Sequence, residues 1–114
     1  MGNKELEHIV GERELAATTA SAERVGIKVQ IGSPRRYPDE TGYECPLRIT
    51  GPGIDVTQWM GGLDSVQALQ AALYIIPFYV NRVCQDRGFT NVHWTEVGDN
   101  LGFPPIAGEG QNGR

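Results

Sequence analysis

The chain has 114 residues, which sets it at one domain with one modest core. Its formal net charge of −4 excludes non-specific nucleic-acid binding, which takes clustered Lys and Arg, and suits a basic protein partner. Cys45 and Cys84 stand far apart in neither a metal nor a redox spacing, as expected of a reduced cytoplasmic protein without cofactor or metal.

Residues 1–11, rich in charge and glycine, read as a flexible leader, and residues 1–7 hold no apolar signal segment. Residues 12–20 mix strand-favouring Thr with helix-favouring Ala and are assigned to a strand, because the next element needs a neighbour. Over 25–31 the apolar residues Val25, Ile27, Val29 and Ile31 alternate with small or polar ones, the period of a half-buried strand. Residues 32–42, punctuated by Pro34, Pro38 and Gly42 and carrying Arg35 and Arg36, form a long loop. Tyr43, Cys45, Leu47 and Ile49 alternate again, with Pro46 at an edge or bulge. Gly51-Pro52-Gly53 makes a tight turn into a third strand, with Ile54, Val56 and Met60 on one face and Trp59 on the other. Connections this short are those of an antiparallel meander.

The convincing helix opens after Gly61-Gly62. Asp64 suits the N-cap, and Gln67, three residues on, can reach back to the Asp64 N–H as a capping box. Gly88 fits the left-handed position past the end, near Arg82 and Arg87. Val66, Leu69, Leu73, Ile76, Val80 and Val83, with Cys84 beside them, make the expected core stripe, and Pro77 is expected to kink it. Tyr74, Ile75, Phe78 and Tyr79 fall off that stripe and need another cover. The apolar run 71–80 is too short for a membrane span and contains Pro77. Residues 89–96 add a short strand or cross the helix end, and 98–114 form a flexible or draped tail. The expected fold is therefore α+β: an antiparallel meander of three to five strands with one long helix on one face, in a single domain over 12–97.

No catalytic constellation stands out. His8 and His93 lack carboxylate or thiol partners at ligand spacing, and Cys45 and Cys84 fall on core faces, where a free thiol packs as a small hydrophobe. Arg35 and Arg36 read either as an anion clamp or as a solvated loop pair neutralised by Asp39 and Glu40. Trp59 on the outer sheet face reads either as a binding hot spot or as packing under the loop or tail.

Three stretches carry a resemblance: Ile31-Gly32-Ser33-Pro34 at a strand exit, Tyr43-Glu44-Cys45-Pro46-Leu47-Arg48-Ile49 in a strand, and Gly62-Leu63-Asp64-Ser65-Val66-Gln67-Ala68-Leu69 at the helix entry. In these it resembles a family of small bacterial proteins of unknown function, a likeness that brings no catalytic residues. In size and acidic charge it is also similar to bacterial immunity proteins that neutralise toxins.

The expected function is a non-enzymatic protein-binding domain, in its narrower form a toxin-neutralising immunity protein. Trp59, Tyr74, Phe78, Arg35 and Arg36 are its candidate partner-binding residues, and a homodimer through Tyr74, Ile75 and Phe78 buries the helix back face. The alternatives are a small-molecule binder or enzyme, with a pocket between the 32–42 loop and the helix gathering Arg35, Arg36 and His93, and a structural subunit that works only as a homo-oligomer.

Overall fold

The computed structural model describes residues 6–38, 41–95 and 100–104. It is α+β, with antiparallel strands β1 (Ile9–Thr18), β2 (Arg24–Gly32), β3 (Arg35–Arg36), β4 (Tyr43–Gly51), β5 (Ile54–Gly62) and β6 (Thr90–His93). Helix α1 (Ser65–Asp86) packs on β4 and β5. β1 begins at Ile9, inside the stretch expected as a leader, because Ile9 and Gly11 pair with Gly32 and Ile31 across a register shift. Arg35 and Arg36, expected in a loop, are strand, since they pair with Glu44 and Tyr43.

Residues 43–44 of β4 pair with both β3 and β5, and residues 47–50 pair with both β2 and β5. A strand has two edges, so β2 and β3 lie along one edge of β4 and β5 along the other. The sheet therefore runs β5-β4-β2-β1-β6, with β3 continuing the line of β2. β5 forms one border and pairs only with β4 among the described residues, while the four-residue β6 forms the other.

Period-two alternation decides the two faces. Leu15 and Ala17 of β1, Ile27, Val29 and Ile31 of β2, and Cys45, Leu47 and Ile49 of β4 point to the helix side and are buried. Their neighbours Glu12, Glu14, Lys28, Gln30, Glu44 and Arg48 point to the outer face, which α1 does not cover. The outer face is laced by cross-strand polar pairs. Gln30 donates to Glu12 at 3.0 Å, and Arg48 donates to both carboxylate oxygens of Asp55 at 3.0 and 3.1 Å.

The helix starts as its sequence implies, with one correction. The Gln67 N–H donates to Asp64 Oδ1 at 2.8 Å, but Gln67 Oε1 accepts from the Leu63 N–H, at 2.7 Å, rather than from that of Asp64. The box thus clamps one residue further into the entry. Asp64→Ala should cost about 0.5–2 kcal/mol in urea denaturation by freeing the first-turn donor. At the far end Gly88 takes φ 77, the Gly88 N–H donates to Gln85 O and the Phe89 N–H to Cys84 O. This is the double bond pattern of a Schellman close. The helix continues through Pro77, which is itself buried.

The core row of α1 differs from the expected stripe. Ala68, Ala72, Ile76, Val80 and Cys84, spaced by four, are the buried row with Pro77. Leu69, Leu73 and Val83 flank it half-buried, and Val66 is 61% exposed. The cause is the tight return from β5. A β-carbon on Gly62 would lie against the Ala68 nitrogen, so the first turns meet the sheet too closely for any side chain larger than Ala. At the other end the Arg87 guanidinium lies over Gly53 in the β4–β5 turn. The helix therefore runs back along β5, from Gly62 toward Gly53.

Candidate interaction surface

Trp59 lies on the outer face of β5, 43% exposed, opposite Pro46 of β4. Alternation brings Glu44 and Gly61 to the same face, and Arg35 is the cross-strand partner of Glu44. From there Arg35 reaches over β4. Its Nε donates to Glu44 Oε2 at 3.0 Å, and its guanidinium carbon stands 4.4 Å from the centre of the Trp59 ring. Arg35 and Trp59 thus form one cation–π stack, with Glu44 fixing the cation. Arg36 stands over Tyr43, at 5.7 Å, as a separate pair. The partner of Arg35 is Glu44; Asp39 and Glu40, expected to neutralise the two arginines, lie outside the described residues.

The other candidates separate. Tyr74 is half-buried on α1, Ile75 and Tyr79 pack against the core, and Phe78 is 56% exposed in a T-shaped pair with Tyr79. The helix back face therefore presents Phe78 as its one large exposed apolar group among the described residues, less than the broad patch expected. His93 sits on β6, with β1 between it and the line of β2 and β3, and its Nδ1 lies 2.8 Å from Asn91 O. Arg35 and Arg36 consequently lie in the sheet apart from His93, with β1 between them.

Cys45 and Cys84 are buried free thiols. Burial pushes the Cys45 thiol up to about 11 and raises that of Cys84, and Cys45 Sγ donates to Gly32 O at 3.3 Å. Both are therefore protonated at neutral pH, the unreactive form. Among the described residues no group of three or more His, Cys, Asp or Glu side chains could hold a metal ion, and no helix is long and apolar enough to cross a membrane.

A second cluster escaped the sequence reading. Arg13 lies between Trp94 and Phe103, its guanidinium carbon 3.7 and 4.6 Å from the two ring centres, and its Nη1 donates to Leu101 O at 3.1 Å. That bond holds down the turn Asn100–Gly102, whose three residues all have positive φ, a strained state for Leu101 at φ 57. Leu101 and Phe103 are buried as a result and cover the core beside the helix. The signal was present: Arg13 shares the strand parity of Leu15 and Ala17, so a cation falls on the core face and needs aromatic or carbonyl cover. This cluster fastens the 100–104 segment to the sheet. It is a structural clamp, with its cation already occupied.

The long border strand completes the surface. β5 has nine residues, runs in unbroken register with β4 from Ile54 to Gly62, and contains no proline, lysine or arginine. Natural sheets blunt their edges with such residues or with bulges, and this edge carries none of them. Thr57 Oγ1, on the same strand and face as Trp59, is buried without a hydrogen-bond partner among the described residues.

A family model described as a domain of unknown function (DUF6968) matches residues 11–105, and the chain belongs to that family. Comparison with curated proteins and with solved structures finds no match.

Proposed function

We propose that this chain is a non-enzymatic protein-binding domain that takes its partner along the β5 edge and the outer face around Trp59. The observation that carries this reading is the unblunted nine-residue border strand with a half-exposed Trp59 held under Arg35. Main-chain donors and acceptors along such an edge supply affinity, and the aromatic group supplies a hot spot. A bacterial immunity protein neutralising a basic toxin is the narrower form that the net charge of −4 favours.

Affinity capture from the source cells, with wild-type protein and Trp59→Ala side by side, tests the reading. A partner specific to the wild type should bind the variant at least about tenfold more weakly. Equal capture by the two proteins, with both folded by circular dichroism, would reject the Trp59 surface.

A further inference from the structure

We propose that a cavity on the helix side of β1 and β2 binds a small organic carboxylate, with its acid group on Arg13 and its alkyl chain on an apolar floor. This site is separate from the protein-binding surface, since Trp59 lies on the outer face of the sheet and the cavity on the other.

The cavity has a volume of about 320 Å3, which lies within the range of small-molecule pockets. Val29 and Ile31 of β2, Leu73 of α1 and Phe103 line it with apolar groups. Gly11 of β1 lines it too, and a β-carbon there would have nothing within 4 Å, so the space above that residue is open.

Arg13 brings the one cation of this lining among the described residues. It is half-buried, and no described carboxylate pairs with it. Glu12, also at the cavity, turns its carboxylate to the outer face, where it accepts from Gln30 and stands 4.0 Å from Lys28. The clamp occupies the Arg13 cation with neutral groups only, the rings of Trp94 and Phe103 and the Leu101 carbonyl. Leu101 O takes its bond from Nη1, and Nε and Nη2 donate to no described residue. A cation–π contact draws on the charge of the guanidinium, whereas a carboxylate takes a pair of its N–H groups in plane, so the two are compatible.

The ligand class follows from these two halves. A half-buried cation held by neutral groups gains from an anion. An inorganic anion would leave Val29, Ile31, Leu73 and Phe103 without a contact. A neutral hydrocarbon would leave Arg13 without a counter-ion. An alkyl carboxylate meets both needs at once.

Calorimetric titration of the full chain with hexanoate at neutral pH tests the site, with acetate and hexan-1-ol as its two halves. Hexanoate should bind saturably, and either half should bind at least about tenfold more weakly. The Arg13 Nε–H resonance should move with the same midpoint. Gly11→Leu is the blocking variant, because it places a side chain in the open space without touching the clamp, and circular dichroism checks its fold. It should weaken hexanoate binding at least about tenfold. No saturable binding of hexanoate, acetate or hexan-1-ol binding as tightly as hexanoate, an unmoved Arg13 resonance, or undiminished binding by the folded Gly11→Leu variant would each overturn the proposal.

Discussion

Replacing Gly62 with alanine should destabilise the domain by about 3 kcal/mol, the upper end of the usual cost of overpacking. The added β-carbon would meet the Ala68 nitrogen and lie 2.8 Å from the Gln67 carbonyl carbon and 2.9 Å from the Ala68 α-carbon. These are backbone atoms of the first helical turns, so no side-chain rotation relieves the contact. The chain must instead move the helix off β5, against the β4 pairing that fixes Gly62 opposite Tyr43. Gly11→Ala is the control. It also adds a β-carbon in a strand, but with nothing within 4 Å, and it should be neutral or stabilise by about 0.4–1 kcal/mol through the unfolded chain. Urea denaturation of the two variants measures the difference. A Gly62→Ala cost no larger than that of Gly11→Ala would mean that the helix does not approach β5 as closely as described.

That contact also explains what the sequence could and could not show. Strands 25–31, 43–49 and 54–60 were legible because each alternates locally and because Gly51-Pro52-Gly53 fixes the turn between the last two. The helix ends were legible because caps are local chemistry, carried by Asp64, Gln67 and Gly88. The core row of the helix was not. Scoring large apolar residues favoured Val66 and passed over Ala68 and Ala72, yet the close return at Gly62 selects the small side chains. Elements paired across long sequence separation were equally hidden. Ile9 pairs with Gly32, β6 with β1, and Arg13 bonds Leu101, none of which a window of neighbouring residues contains. Of the candidate site, the outward placement of Trp59 could be read from alternation, but its stack with Arg35 depends on β3 pairing at β4.

Ile76→Ala should cost about 2–5 kcal/mol, because a fully buried side chain leaves both its transfer energy and a residual cavity. Ile76 has no exposed surface and stands at the middle of the Ala68–Cys84 row, with two small residues before it and the β-branched Val80 after it. The Ala68 and Ala72 turns already touch the sheet, so the helix cannot close down further at that end to fill the void. Phe78→Ala, two residues on and 56% exposed on the opposite side, should cost no more than about 0.5 kcal/mol, as a surface change does. Thermal or urea unfolding of the pair reads which side of the helix is the core, and reads it in solution. A Phe78→Ala cost approaching that of Ile76→Ala would mean that Phe78 is covered by another chain. It would place a protein contact on the helix back face, because a half-exposed ring contributes so much to stability only where a partner takes it out of water.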